Sequence, residues 1–183
     1  MLTDKWTQQI DQTTHDFERM VGSLSKEALN YKPSPQVWSI AQNMHHLIVI
    51  NESYFPVLDK LRNKNYELPW IGKVSFLVNF LGKVVLRAVN PDRRKKMKTF
   101  PIWEPSSSDF EMSILNDFKD HQQKLKQYII NSKELLEKGV VISSPANRNI
   151  VYKLDKAFDI IVTHERRHLE QAKELLTLLN KQL

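Results

Sequence analysis

The sequence predicts an all-α protein: a four-helix bundle with extra short helices between its second and third main helices. Three observations carry this. Glycine is scarce, with four in 183 residues. Apolar residues recur at helical spacing over long stretches, the mark of amphipathic helices. Serine followed three positions later by Gln or Glu, a helix-start signature, stands before two of those stretches, at Ser39/Gln42 and Ser108/Glu111. The length suits a single domain over residues 1–183 with room for a substantial core, and an up-down-up-down order of helices is expected.

The elements follow in order. The first helix is predicted from Thr3 to Leu24, with Trp6, Ile10, Phe17, Met20, Val21 and Leu24 apolar at helical spacing. Pro33 and Pro35 mark the loop after it, because proline cannot continue a helix. The second starts at Ser39 and runs its stripe through Ile40, Met44, Leu47, Asn51, Tyr54, Leu58 and Leu61. Residues Asn63 to Pro105 hold an aromatic, amphipathic piece, a basic run and the loop Phe100-Pro101-Ile102-Trp103-Glu104-Pro105. The third helix is predicted to start near Ser108 and to carry Phe110, Ile114, Phe118, His121, Leu125, Tyr128 and Ile129 on one face. Asn147 and Asn149 mark a turn region, and little of the chain reads as strand. Asp155 is expected to cap the fourth helix, which runs almost to the end.

Composition narrows the function. There is no cysteine, so disulfides, thiolate ligands and a cysteine nucleophile are excluded, and a reducing cytoplasm is the expected location. The first residues lack a signal-peptide core. The net charge is +6, with much of it in Arg93-Arg94-Lys95-Lys96-Met97-Lys98. Such a run can contact phosphates, but no nucleic-acid module surrounds it, and a solvated connector is the expectation. The most apolar stretch, Ile71 to Val89, is interrupted by Lys73, Lys83 and Arg87, too charged for a membrane span. Packing against the bundle is expected ahead of a membrane surface, and no membrane partner is assigned. The aromatics Trp70, Phe76 and Phe80 suggest a homodimer through a twofold helix interface, with burial inside the chain as the competing arrangement.

The chemistry sits in the last helix. One stripe reads Ala157, Ile161, His164, His168, Gln171, Leu175, Leu178. Histidines four apart on a helix project from one face, and apolar neighbours at both ends turn them inward. Two buried imidazoles need satisfaction. A shared divalent ion supplies it if another helix adds a ligand. His-Glu-x-x-His is formally present at His164-Glu165-Arg166-Arg167-His168, but the sheet of a metalloprotease is not. The residues leave the third ligand open among His15, His45, His46 and His121; His46, at the edge of its stripe on the side of Ile50 and Val57, is weakly favoured.

Two segments resemble motifs of the DinB-like superfamily. Trp38-Ser39-Ile40-Ala41-Gln42-Asn43-Met44-His45-His46-Leu47 is similar to its helix-start motif, in which a His follows the Trp by eight positions. His164-Glu-Arg-Arg-His168-Leu-Glu-Gln171 resembles its last-helix motif, His-x-x-x-His-x-x-Gln. The resemblance implies a four-helix bundle with a divalent metal on His46, His164 and His168. It also implies metal-dependent hydrolysis or thiol S-transfer on a small molecule, the latter with a low-molecular-weight thiol of the bacillithiol or mycothiol kind. Three neutral imidazoles leave an ion its full charge and open positions, and zinc, nickel and iron all suit such ligands. Around them, Gln171 is placed to orient a ligand, and Asn43 and Asn51 to line a pocket. Glu165, rotated about 100° from His164, is expected at a surface or interface rather than as a general base. No catalytic residue is assigned. The alternative is a non-catalytic metal- or ligand-binding dimerisation module.

Overall fold

The computed structural model describes residues 2–92 and 99–181. The basic run Arg93–Lys98 lies outside the described residues. Helices dominate: α1 (Asp4–Val21), α2 (Lys26–Asn30), α3 (Ile40–Glu52), α4 (Phe55–Arg62), α5 (Ser75–Ala88), α6 (Ile114–Ile130), α7 (Lys133–Glu137) and α8 (Leu154–Asn180). Strands β1 (Val141–Ser144) and β2 (Asn147–Lys153) form one antiparallel hairpin before α8. The all-α class holds. Four helices, α1, α3, α6 and α8, close a ring: α1 packs on α6 and α8, and α3 packs on the same two.

Local chemistry explains where elements begin and end. The Ser39 box forms in full: the Ser39 hydroxyl accepts from the Gln42 N–H, and the Gln42 side chain accepts from the Ser39 N–H, both at 3.1 Å. The predicted second helix breaks into α3 and α4, because Pro56 in the first turn of α4 has no N–H to continue the ladder. The Ser108 box does not form, and α6 starts at Ile114 instead. A tertiary tie takes that segment away from helix: the Asn30 side chain donates to the Phe110 carbonyl at 2.8 Å and accepts from its N–H at 2.9 Å. Lys26 meanwhile pairs with Glu111. Asp155 is not the cap of α8 but lies in its first turn, behind the extended residue Lys153. The hairpin was not legible as strand; it pairs Ile142 with Tyr152 and Ser143 with Val151. It buries Ile142, Val151 and Tyr152.

Two apolar clusters fill the ring. One gathers Trp6, Ile10, Leu125, Tyr152, Phe158 and neighbours; the other gathers Phe17, Met44, Leu47, Phe118, Leu169 and neighbours. Between them each ring helix places a buried polar residue: Thr13 between Ile10 and Phe17, Gln122 between Phe118 and Leu125, Asn51 after Leu47, and Glu165 between Val162 and Leu169. A polar layer therefore divides the core.

α5, at 14 residues longer than the short decoration expected, packs on β2 and α8. Gly82 permits that approach, since a Cβ there would stand 3.1 Å from the Tyr152 Cβ and 3.0 Å from the Lys156 Cγ. Trp70, Phe76 and Phe80 face outward. Among the described residues no helix is long and apolar enough to cross a membrane.

Candidate metal centre

The Ser39 box fixes where α3 begins, and so the direction in which His46 points. α8 contributes His164 and His168 from successive turns, and α3 packs directly on α8. The three imidazoles meet: their candidate ligand nitrogens all lie within 4.8 Å of one another. Among the described residues no other group of three His, Cys, Asp or Glu is placed to hold a metal ion. His46 is 1% exposed, His168 is buried, and His164 is half-buried, so the trio reaches the surface at His164.

The outer face of each of two rings is engaged. His46 Nδ1 lies 2.6 Å from the Trp103 carbonyl, which can only accept, so Nδ1 carries the proton. His168 Nδ1 lies 2.6 Å from Asn43 Oδ1. The Asn43 amide donates to the Ser39 carbonyl at 2.8 Å, which settles its orientation and makes Oδ1 the acceptor. Both rings are thereby held with a bare Nε2 toward the shared point. His46 Nε2 is buried with no partner, and His168 Nε2 lies 2.9 Å from His164 Nε2. Ligand nitrogens converging on one point, with His46 Nε2 left unsatisfied beside the His164–His168 pair, are the arrangement a divalent ion fits. Trp38 covers the trio, its ring centroid 4.8 Å from His46 and 6.1 Å from His168.

Electrostatics keeps the rings neutral, the form that ligates. Burial pushes the His46 pKa down to about 4, against a smaller opposing effect of the Trp103 carbonyl. Burial also holds His164 and His168 well below the ordinary histidine range; the other imidazoles and the Arg167 guanidinium add to it. Arg167 donates to the carbonyls of Ala88 and Asn90 at the end of α5, at 3.3 and 3.2 Å.

The remaining candidates fall elsewhere. His15 is exposed. His45 turns to Ser106 and Phe110. His121 is buried but apart, stacked on Phe55, with Nδ1 3.9 Å from Glu52. Gln171 is half-buried and makes no hydrogen bond to the histidines. Asn43 is a support for His168, whereas Asn51 belongs to the polar layer, donating to Glu165 Oε1 at 2.8 Å. Glu165 is not at a surface: it is fully buried, its Oε1 accepts from Asn51, and burial pushes its pKa up to about 7. The sequence reading missed Trp103, whose carbonyl orients His46. Its one signal was the Pro101/Pro105 bracket around an aromatic residue.

Residues 9–172 match the model of a protein family, the DinB superfamily. No curated protein and no solved structure matches the chain.

Proposed function

The chain belongs to the DinB superfamily, and from that premise we propose that it is a metal-dependent enzyme acting on a small molecule by hydrolysis or thiol transfer. His46, His164 and His168 hold one divalent ion of the zinc, nickel or iron kind in this reading. The observation that carries it is the convergence of bare Nε2 atoms while Nδ1 of His46 and of His168 is engaged behind them. An ion bound there supplies Lewis acidity, which lowers the pKa of water or of a small thiol and makes the nucleophile available near neutral pH.

The chain's own residues do the rest. His46 and His168 stay neutral through burial and are held in one orientation by Trp103 and Asn43. Trp38 keeps water from its side of the site, and half-buried His164 leaves a small molecule its approach. A thiol co-substrate must come from outside, since the chain has no cysteine. Glu165 is not the general base: it is fully buried in the polar layer, with its Oε1 held by Asn51.

The test is a screen of metal-loaded protein against activated esters, amides and thiol-reactive electrophiles, with and without added small thiols. The proposal expects turnover that needs the ion and is lost in His164→Ala with helix content retained. Metal binding without turnover of any of these substrates would favour the non-catalytic module instead.

A further inference from the structure

From Leu68 to Pro91 the sequence contains no Asp or Glu, yet it holds Lys73, Lys83 and Arg87. The wider segment 68–103 carries eight Lys and Arg against one Asp, a net of +7 where the whole chain has +6. The rest of the chain is thus close to neutral, and its positive charge belongs to this one region.

The same region bears the largest exposed apolar side chains. The inner face of α5 is used: Val78 and Gly82 are buried, and Val85 and Leu86 pack on the core. The outer face is not. Phe76 is 74% exposed, Phe80 52%, and Trp70, on the turn just before, 75%. The Phe76 and Phe80 rings stack on each other, 6.1 Å between centroids. At about 100° per residue, Phe76, Phe80, Lys83, Val84 and Arg87 fall within one arc of about 100°. Lys73, Lys83 and Arg87 have no ion-pair partner among the described residues. Beside this arc runs a groove of about 180 Å³ lined by Val78, Asn79, Lys83, Lys153, Asp155 and Lys156. Three of those six side chains are lysines.

We propose that the outer face of α5, with Trp70, is a docking surface for an anionic phospholipid bilayer. Aromatic side chains beside lysine and arginine on one helix face are the composition of a helix that lies in a membrane interface. The bilayer supplies apolar depth for Trp70, Phe76 and Phe80 and phosphates for Lys83 and Arg87. Charge decides against a second copy of the chain. A twofold interface presents the same patch to itself, which would gather Lys83 and Arg87 of both copies at one seam, with no acid on α5 to receive them. This departs from the sequence-based expectation of a homodimer without membrane contact, and it is independent of the histidine site.

Co-sedimentation of the full chain with vesicles tests it. Binding is expected to phosphatidylcholine vesicles containing phosphatidylglycerol, to weaken with salt, and to be absent with phosphatidylcholine alone. Lys83→Gln with Arg87→Gln removes two cations and should weaken partitioning by about thirtyfold, at roughly 1 kcal/mol per surface cation. Phe76→Ser with Phe80→Ser should abolish binding at unchanged charge, with circular dichroism confirming the fold. No binding to the anionic vesicles at low salt overturns the proposal, as does binding indifferent to the phenylalanine pair. Light scattering closes the alternative: a dimer that Phe76→Ser with Phe80→Ser dissolves makes a second copy the occupant, and the proposal is wrong.

Discussion

Two buried polar regions lie close together in this core and differ in one respect. At the histidine trio the rings are neutral, two of them are oriented from behind, and their ligand nitrogens converge. In the polar layer the unsatisfied atoms do not converge. Glu165 Oε2, both amide atoms of Gln122 and, beside the layer on α6, both ring nitrogens of His121 lack hydrogen-bond partners, yet among the described residues neither Glu165 nor His121 belongs to a group of His, Cys, Asp or Glu placed to hold an ion. Each region has a histidine with pKa pushed down to about 4, His46 in one and His121 beside the other. Burial and a perturbed pKa are therefore common to the two. Convergence, with support behind two of the rings, is what marks a ligand site.

The largest expected effect breaks the first region outright. His168→Ala removes a ligand from the middle of the trio and should take metal binding below detection in equilibrium dialysis. His121→Ala, an equally buried histidine, should leave metal binding unchanged. Equal losses in both variants would erase the distinction between the regions.

Acid stability sharpens the comparison next. The His121 pKa lies at about 4 in the folded chain against 6.5 for an ordinary histidine, with burial as the main cause. Between those values the unfolded chain binds the proton first, so stability falls as pH drops from 6.5 to 4 and is flat above. His121→Leu should reduce that loss by up to about 3 kcal/mol, read as the difference between wild-type and variant denaturant midpoints in metal-free protein. Glu165 has the opposite sign: its folded pKa of about 7 lies above the ordinary 4.5. Relative to Glu165→Gln, the wild type should lose stability as pH rises from 4.5 to 7. A difference that does not vary over that range would show that the carboxyl is not protonated in the folded core.

A smaller effect is expected behind the trio. Asn43→Ala removes the acceptor that holds the His168 Nδ1 proton but no ligand. Metal affinity should weaken by about ten- to a hundredfold, the usual cost of losing such a support, while the helix content stays. Isothermal titration with zinc measures this. An unchanged affinity would mean that packing alone orients His168.

Much of this was legible in the sequence, and the failures have physical causes. His164 and His168 could be read because four-residue spacing on an apolar stripe has one geometric meaning, and the Trp38–His46 segment carried the family resemblance. The long helices could be read from their period. Ends failed where a distant residue intervened, as when Asn30 captured Phe110 and displaced the Ser108 start. The hairpin was missed because its buried side chains, Ile142 and Tyr152, find their partners through pairing and not through a long local pattern. Glu165 was misplaced for a different reason. α8 packs on α1 and α3 together, so more of its circumference is buried than the single stripe of His164 and His168 implies.

The most direct measurement is the metal content of purified protein after reconstitution with a divalent ion and dialysis. One ion per chain is predicted for the wild type and for His121→Ala, and close to none for His46→Ala and His168→Ala, all four with the same helical circular dichroism. A wild-type chain that retains no ion, or a His46→Ala variant that retains a full one, would contradict the assignment of the trio as the metal site.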